Sequence, residues 1–431
     1  NPARLFDEEP TVTNHLMESE AVRLFVARAT ESCPDFQITP GNTRAVAEVC
    51  ARLDGIPLAI ELAAVRTKVL AVEQIAARLH DRFRLLTDGS RTAVPRQQTL
   101  RATLDWSHDL LGTKEQTLLR RLSSFTGGAT LDAAEAVCSG GAVEPEDVLD
   151  LMTALIDRSL IVIKTLGGSE NRYDLLETIR QYGQDRLTQS GEAVKVRGRH
   201  ATFFLQLAID ADPHLSGSEQ AVWLGRLETE HNNLRAALTF FLEREPPRAL
   251  CLALALNTFW EVRAHFVEGR GWLERALAGS PDAPAVSRAR AAGAAGRLAW
   301  YQEDYAAARA LLEESLRLFE ALDERRSAVV TLGSLGQVAV GEGDYVRARA
   351  LCERAVASAR ALGDRQILAS QLRDFGIVAG ASFDVATARA LDEEALVICR
   401  ELSDSRGVAR ALMGLGLADV YSGEALRARS H

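Results

Sequence analysis

The segment GQVAVGEGDYVRARALCERAV, residues 336–356, decides the fold because its pattern recurs through the last third of the chain. A glycine and an acidic residue return at a spacing of forty residues. These positions are Gly296, Gly336, Gly376 and Gly416, each followed by Asp304, Asp344, Asp384 and Glu424. Further columns repeat after each acidic residue, for example Ala308, Ala348 and Ala388. Self-similarity at a fixed period predicts an array of stacked structural units.

Each unit is predicted to contain two amphipathic helices. The first carries the glycine, a turn follows at Gly-Glu-Gly-Asp or its equivalent, and the second begins near Tyr305 or Tyr345. An interior glycine costs about 1 kcal/mol against alanine, so we expect the glycines and alanines where paired helices approach closely. The pattern resembles the tetratricopeptide repeat, whose usual period is about 34 residues. We expect the extra residues in longer links between pairs, around residues 322–325 and 362–365.

The composition is that of a globular helical protein. The chain has 431 residues, 47% hydrophobic and 25% charged, and its formal net charge of -9 disfavours a broad nucleic-acid or anionic-membrane surface. No apolar run approaches the roughly 20 residues of a membrane span, so we expect a cytoplasmic protein without membrane contact. The cysteines lie far apart without a CxxC pair and are predicted to be reduced, packed thiols. They are Cys33, Cys50, Cys138, Cys251, Cys352 and Cys399.

The predicted fold class is mostly α, with four consecutive regions. Residues 1–94 form a helical subdomain, and residues 95–190 form a winged-helix-like domain. Residues 191–284 form a helical connector with degenerate repeats. Residues 285–431 form an α-solenoid of tetratricopeptide-like helix pairs. In the connector, HFVEGRGWLERAL from His265 resembles the second helix of a repeat, and its aromatic residues at helical spacing are interpreted as core.

The second region changes from helical to mixed character. The predicted elements are helices at 99–111, 114–123 and 148–158, a strand from 160, a turn at 167–169, a returning strand at 172–175 and a helix from 177. Helices followed by a two-stranded wing are the outline of a winged-helix domain. The candidate recognition helix, DVLDLMTALIDRSL from Asp147, is apolar and acidic, whereas a helix that reads a DNA groove needs basic and amide side chains. DNA binding by this domain is therefore the less favoured interpretation.

Four separated strings resemble, in order and spacing, bacterial signal-transduction ATPases of the STAND/NB-ARC type with tetratricopeptide repeats. They are DGIPLAIELAA from Asp54, RFRLLTDGSR from Arg82, RQQTLRATLDWSHDLL from Arg96 and RYDLLETIRQYG from Arg172. The resemblance covers residue 18 to about residue 240 and extends to actinobacterial regulators of the LuxR or activator type. It implies that residues 1–94 are the helical subdomain distal to the NB-ARC nucleotide-binding fold, and that the parent protein is a transcriptional regulator with a nucleotide switch.

The resemblance also implies site residues in the intact protein. Gly55 and Pro57 occupy the GxP string, whose proline lies against the adenine ring of the nucleotide; proline offers a rigid apolar face and adds no donor. The alternative is a helix break between two packed helices. Leu176 and Glu177 occupy the family's Met-His-Asp string, so the histidine that contacts the β-phosphate of ADP is a leucine here. The remaining polar candidates are Glu177, Arg172 and Arg180.

The sequence lacks the phosphate loop of these ATPases. GxxxxGK[ST] supplies backbone N–H groups and a lysine to the phosphates, and no lysine here follows a glycine in that frame. We therefore expect no catalytic residue, no enzymatic activity and no cofactor in this chain, with ATP or ADP bound only by the intact parent. HExxH and paired CxxC signatures are absent, so no metal site is predicted. His108 lacks an identifiable catalytic partner and is interpreted as a helix-surface or interface histidine.

The leading hypothesis is the regulatory and sensor portion of a signal-transduction ATPase. The repeats receive a protein, peptide or small inducer on their concave face, and the helical and winged-helix segments control an upstream nucleotide-binding domain. DNA is contacted only through an output domain outside this chain. The array stops at His431 within a predicted second helix, which suggests truncation or self-association. The alternative is a free-standing tetratricopeptide-repeat scaffold for protein interactions.

Overall fold

The structure is a computed structural model. It describes residues 17, 19–53, 55, 57, 60, 63–64, 66–68, 70–79, 104–105, 108–109, 111–158, 160–165 and 171–421. This part of the chain is mostly helical, as the sequence predicts, and the chain divides into two compact units, Asn1–Phe203 and Phe204–His431. The four finer regions proposed from the sequence stay a prediction. Over the ranges just given, no helix combines the length and the apolar character needed to cross a membrane.

The first unit begins with short helices around an apolar core. These are α1 (Glu20–Ser32), α2 (Thr43–Arg52), a 3-10 turn (Arg66–Lys68) and α3 (Val72–Arg78). Phe25, Val46 and Leu53 are fully buried in this core, and the rings of Phe25 and Phe36 meet edge to face with centroids 6.0 Å apart. Since the apolar residues of α1 and α2 line one face of each helix, burying that face fixes how the two helices pack.

A winged-helix domain follows in the same unit. Its elements are α4 (Thr113–Leu122), α5 (Leu131–Cys138), α6 (Asp147–Asp157), β1 (Val162–Thr165), β2 (Asn171–Asp174) and α7 (Glu177–Gln189). The strands pair antiparallel with Ile163 opposite Tyr173, and Tyr173 also bridges to Ala129 ahead of α5. The predicted helices 114–123 and 148–158 and both strands are confirmed to within two residues, whereas α5 was missed. The turn at 167–169 and most of the predicted helix 99–111 lie outside the described residues.

Two buried arginines hold the winged-helix domain together. Arg121 donates to the backbone carbonyls of Cys138, the last residue of α5, and of Gly140, both at 2.7 Å, and pairs with Glu192 at 2.6 Å. Its hydrogen bond lowers the pKa of the Glu192 carboxyl. Arg172 donates from Nε to Gly127 O at 2.7 Å and is 4% exposed. A buried cation is costly unless it is fully hydrogen-bonded, so Arg172 is a structural residue of the wing and not a candidate nucleotide ligand, which corrects that expectation.

The second unit is an array of helix pairs. After α8 (Ala193–Ala211) and a 3-10 turn (Asp212–Leu215), its helices are α9 (Gln220–Thr229), α10 (His231–Arg244), α11 (Pro246–Val262), α12 (Phe266–Ala278), α13 (Ala285–Tyr301), α14 (Tyr305–Ala321), α15 (Arg325–Gly341), α16 (Tyr345–Leu362), α17 (Arg365–Ala381), α18 (Val385–Glu401) and α19 (Ser405–Tyr421). From α10 onward, each helix packs on the next one along the chain. This succession confirms the predicted solenoid of helix pairs.

Two long helices and two short turns make up the forty-residue period. Both α14 and α15 have 17 residues, and only residues 302–304 and 322–324 connect them to their neighbours. The expectation of longer links is therefore wrong, because the additional residues lengthen the helices instead. The acidic column caps the second helices: a carboxylate oxygen accepts a hydrogen bond from the backbone N–H three residues ahead. These caps are Asp304, Asp344 and Asp384, and Glu424 lies outside the described residues.

The glycine column marks the closest approach between paired helices. A β-carbon at Gly296 would lie 2.8 Å from Leu312 Cγ, and one at Gly336 would lie 2.6 Å from Cys352 Sγ. At Gly376 the corresponding distance, to a carboxylate oxygen on the partner helix, is 3.1 Å. Because carbon atoms need more room than this, any larger residue would push the helices apart. The interpretation of these glycines as packing positions is confirmed.

From α13 onward, each inter-helix turn places one residue in the left-handed conformation. Gly343 and Gly363 adopt it with φ of +79° and +69°. Non-glycine residues hold the equivalent positions of the other repeats with φ between 54° and 60°, namely Glu303, Asp323, Phe383 and Ser403. This conformation costs an L-residue about 1–2 kcal/mol, so these turns are places where glycine is the better residue.

Exchanging residue types at this turn position should change stability in opposite directions. Glu303→Gly should raise the free energy of unfolding by about 0.5–1 kcal/mol, because glycine adopts positive φ without a steric penalty. Gly343→Ala, its counterpart one repeat later, should lower the free energy of unfolding by about 1 kcal/mol. Urea unfolding followed by circular dichroism measures both changes. Shifts of the same sign in the two variants would contradict this account of the turns.

Candidate functional site

The residues predicted to contact the nucleotide base lie just beyond α2. Gly55 has a left-handed φ of +67°, and its N–H donates to Cys50 O at 3.2 Å, so Gly55 ends α2 as glycine commonly ends helices. Pro57 is helical and exposed. The geometry thus explains Gly55 as a helix terminator and leaves the ring of Pro57 accessible, and the contact of Pro57 with adenine stays a prediction.

Glu177 lies in a polar cleft between α2, α3 and α7. The cleft has a volume of about 570 Å³, and Arg52, at the carboxyl end of α2, lines it together with Glu177 and Arg180. Arg180 Nε donates to Glu177 at 2.8 Å, and Arg52 pairs with Glu48 at 2.6 Å. Leu176 precedes α7 and is half-buried. The fold therefore brings Glu177 close to the end of α2, while Leu176 contributes no polar side-chain atom.

His108 is an interface histidine, as the sequence suggested. Its ring meets Tyr182 of α7 edge to face, with centroids 5.7 Å apart. The Tyr182 hydroxyl donates to Asp105 at 2.8 Å and accepts from Arg186 Nε at 2.8 Å. Burial, with a smaller effect of Arg186, lowers the pKa of His108. These contacts serve packing between α7 and the residues around position 108, and they supply no nucleophile.

The exposed face of α6 is poorly suited to DNA. Its exposed residues are Leu149, Asp150, Thr153 and Asp157. The cations at the two ends of this helix are paired, Lys114 with Asp147 at 2.7 Å and Arg158 with Glu115 at 2.6 Å. A helix in a DNA groove needs basic and amide groups that face phosphates and base edges. This face therefore suits contact with a protein surface better than contact with DNA.

A larger cleft opens on the surface formed by the first helices of the pairs, α13, α15, α17 and α19, here called the first-helix face. It has a volume of about 780 Å³ and lies between α17, α19 and residues 216–220. Arg373, Arg406 and Arg410 line it. Within the described part of the chain, none of these arginines forms an ion pair at 4 Å or less. Three arginines against the single carboxylate of Asp404 give the cleft an excess of positive charge, which attracts an anion.

An apolar pocket of about 210 Å³ adjoins this arginine cleft on the first-helix face. Its walls include Ile377 of α17, Val385 of α18 and Leu417 of α19. Ile377 and Leu417 are 60% and 54% exposed, which leaves apolar surface uncovered around the pocket. Arg373 precedes Ile377 by one helical turn, so the cationic and apolar surfaces are neighbours on α17.

Asp392 of α18 lines the apolar pocket and is only 4% exposed. Its carboxyl group makes no hydrogen bond or ion pair with any described residue. Gly376 of α17 and Gly414 of α19 face it from either side, and the missing side chains leave space for the carboxyl group. Burial raises the pKa of Asp392 from 3.8 to about 7, because a low-dielectric environment disfavours the charged form. Near neutral pH the group can therefore donate or accept a hydrogen bond.

Asp392 and the three arginines were not predicted from the sequence. For Asp392 an indication existed, since its column holds Leu312 and Cys352 in the preceding repeats and both are buried. An aspartate in a buried apolar column departs from the pattern of the array. The arginines offer no comparable indication, because exposed arginines are common on helices and their convergence depends on how residues 216–220 approach α17 and α19.

Sequence comparisons match parts of the chain to a winged-helix family and to mycobacterial proteins. A family model described as "Winged helix-turn-helix domain" matches residues 111–188. A provisionally named HTH-type transcriptional regulator of Mycobacterium tuberculosis is 46% identical over 259 residues, covering 60% of this chain and 29% of that protein. An uncharacterised protein of the same organism is 43% identical over 185 residues, covering 43% of this chain and 47% of that protein. The chain thus spans less than half of either relative.

Comparisons with solved structures return distant likenesses at low sequence identity. A signal transduction ATPase with numerous domains and a tetratricopeptide repeat sensor, from Pyrococcus horikoshii, matches with a TM-score of 0.41 and 15% identity, covering 95% of this chain and 59% of that chain. Aspartyl phosphate phosphatase F from Bacillus subtilis matches with a TM-score of 0.44 and 10% identity, covering 79% and 84%. Likenesses at this level assign no function to the chain.

Replacing Asp392 should remove a pH dependence of stability. The folded state keeps the Asp392 proton up to about pH 7, whereas the unfolded chain releases it near pH 3.8. The free energy of unfolding of the wild type should therefore fall as the pH rises from about 4 to 7 and then level off. An asparagine does not ionise, so Asp392→Asn should not lose stability in this pH range. At pH 8 its free energy of unfolding should exceed that of the wild type by about 1–4 kcal/mol.

Urea unfolding at pH 5 and pH 8 measures this difference. Asp323→Asn is the matched control, because Asp323 is an exposed turn aspartate whose side chain is 78% accessible. The control should keep the pH slope of the wild type. The account of Asp392 fails if Asp392→Asn keeps that slope as well.

Proposed function

We propose that this chain is the regulatory and sensor portion of a signal-transduction protein that controls transcription, and that its first-helix face binds the inducer or partner. The observation that carries the proposal is the arginine cleft beside an apolar pocket with a buried, unpaired carboxyl group. A ligand with an anionic end, an apolar body and a hydrogen-bonding group matches all three surfaces. Small amphiphilic carboxylates and peptides with acidic and apolar side chains both have this chemistry.

The winged helix-turn-helix match and the name of the M. tuberculosis relative support the regulatory role. The chain covers 29% of that relative. The activity of the longer protein to which such a chain belongs is therefore part of the proposal. We propose a cytoplasmic regulator in which the repeats sense the ligand. The helical and winged-helix segments then control a nucleotide switch elsewhere in the protein.

Ligand binding can act as a signal only if it favours one arrangement of the array over another. The arginine cleft supplies a basis for such a preference, since α17 and α19 lie late in the array and residues 216–220 lie at its start. A ligand held by both walls stabilises the arrangement in which they are close. An arrangement in which the walls are apart lacks one set of contacts and binds the same ligand more weakly.

Neutralising the arginines should weaken binding of an anionic amphiphile. Octanoate should raise the melting temperature of the chain, whereas octylamine, with the same apolar body and the opposite charge, should not. The double change Arg373→Gln with Arg410→Gln should lower octanoate affinity about tenfold, because it removes two cations from the cleft. Thermal-shift titrations measure the effect, with Arg317→Gln on α14 as the matched control, since Arg317 is paired with Glu314 outside the cleft. Equal responses to octanoate and octylamine would count against this site.

Nucleotide binding is proposed to need a phosphate-loop domain that this chain lacks. The chain alone should neither bind nor hydrolyse ATP. Joined to such a domain, it should bind ADP, and Pro57→Ala should weaken that binding about tenfold by removing the rigid apolar face beside the adenine. Calorimetry measures both affinities, and Pro40→Ala, at an exposed proline of the same unit, is the control. ATP hydrolysis by the chain alone, or unchanged ADP affinity in Pro57→Ala, would overturn this part of the proposal.

A second candidate function is direct DNA binding, which the winged helix-turn-helix match favours. The apolar and acidic face of α6 and its paired flanking cations oppose it. We therefore assign the winged helix a protein-contact role, with DNA bound by a separate output domain. Duplex-DNA affinity measured at two salt concentrations separates the candidates, since phosphate contacts weaken steeply with added salt.

A third candidate is a free-standing repeat scaffold. Such a scaffold has the same ligand site but controls no nucleotide switch.

A further inference from the structure

Two histidines and a glutamate converge at the start of the array. Glu228 lies near the end of α9, His231 is the first residue of α10, and His265 precedes α12. One ligand atom from each residue lies within 4.8 Å of the other two. Ala264, with a left-handed φ of +58°, turns the chain so that His265 faces this point, and the His265 N–H closes the turn on Trp260 O at 2.9 Å.

The separations approach those between ligand atoms around a transition metal ion. His265 Nε2 lies 3.4 Å from Glu228 Oε2, and His231 Nδ1 lies 3.9 Å from Glu228 Oε1. Ligand atoms around a tetrahedral zinc ion, bonded at about 2.0–2.1 Å, are about 3.4 Å apart. A small closing movement of side chains that are 28% and 43% accessible, His265 and Glu228, brings the three atoms to this spacing.

A further carboxylate lies beside the buried histidine. His231 is 8% exposed, and its Nε2 lies 3.2 Å from Glu268 Oε1. Glu268 also accepts hydrogen bonds from Arg235 Nε at 2.7 Å and Trp272 Nε1 at 3.2 Å, so its position is fixed. A metal-binding histidine commonly donates its second N–H to a carboxylate, which frees the other nitrogen for the ion. Here His231 Nε2 lies on the side of Glu268, and Nδ1 lies on the side of Glu228, 3.9 Å from Oε1.

We propose that Glu228, His231 and His265 bind a divalent transition metal ion, with zinc as the preferred class. Two imidazoles and one carboxylate suit zinc and its neighbours, whereas magnesium and calcium prefer oxygen ligands alone. The sequence motifs predict no metal site because His265 is distant along the chain from the other two residues, so no short motif contains all three. A bound ion joins the end of α9 and the start of α10 to the start of α12.

The guanidinium of Arg263 opposes the ion and provides a sensitive test. Arg263 Nε lies 3.7 Å from Glu228 Oε2, and its side chain is 40% accessible. The guanidinium repels a cation at this site and competes for the carboxylate. Arg263→Gln removes that competition, so it should bind zinc several-fold more tightly than the wild type. A cluster with a purely structural role would give no gain in affinity on this change.

The experiment is calorimetric titration of the metal-free full chain with zinc chloride, together with cobalt titration followed by visible absorption. The wild type should bind one ion at this site, and zinc should raise its melting temperature by mass action. His265→Ala and Glu228→Gln should each lose at least about tenfold in affinity. His214→Ala is the matched control, because His214 is an accessible histidine paired with Glu219 outside the cluster.

The outcomes distinguish this site from other sources of affinity. Cobalt bound by nitrogen and oxygen gives visible bands without the thiolate charge-transfer absorption that a cysteine site would add. Circular dichroism melting of each variant without metal shows whether the variant is folded. The proposal is overturned if the folded His265→Ala variant binds zinc as tightly as the wild type, or if Arg263→Gln binds it no more tightly. Loss of octanoate binding with zinc binding retained would affect the proposed sensor function alone.

Discussion

The repeat array depends on one steric constraint, the close approach of the two helices within each pair. Where the first helix crosses the second, a β-carbon would lie within about 3 Å of its neighbour, so glycine is required at Gly296 and Gly336. Helices that meet this closely bury small and apolar residues over their whole length, and the aspartate caps fix where each second helix begins. The same geometry then repeats, and the surfaces between repeats become equivalent. The chemical differences between repeats therefore lie in the residues outside these columns.

The candidate ligand site arises where the array departs from its own pattern. In two repeats the position facing the glycine is Leu312 or Cys352, and in the third it is Asp392. A buried carboxylate without a partner destabilises the folded protein. The raised pKa of Asp392 reflects the same unfavourable burial of its charged form. An aspartate here conflicts with the apolar packing of this column in the other repeats. Conflicts of this kind are expected at functional positions. The arginines of the neighbouring cleft lie on the same face.

One helix links the two sites of the second unit. Residues 216–220 line the arginine cleft, and α9 begins at Gln220 and ends one residue after Glu228, the carboxylate of the proposed metal site. Movement of the cleft wall would therefore reach the histidine cluster along a single short helix.

In the first unit, by contrast, the two arginines that stabilise the winged-helix domain are buried. Arg121 and Arg172 donate to backbone carbonyls inside the winged-helix domain, whereas the outer face of α6 is apolar and acidic.

The sequence by itself determined the class and the period of this fold. Hydrophobic spacing, the glycine column and the acidic caps are local or strictly periodic features, so they predict helix pairs, the winged-helix outline and the start of each second helix. The way the extra residues are accommodated was not predictable, because helix length is decided by packing against neighbours. Tertiary structure alone decided which side chains meet. Arg373 approaches residues 216–220, and His265 approaches Glu228, only because stacked helices bring distant segments together. The pKa of Asp392 likewise depends on the surrounding helices, since burial cannot be read from an isolated aspartate.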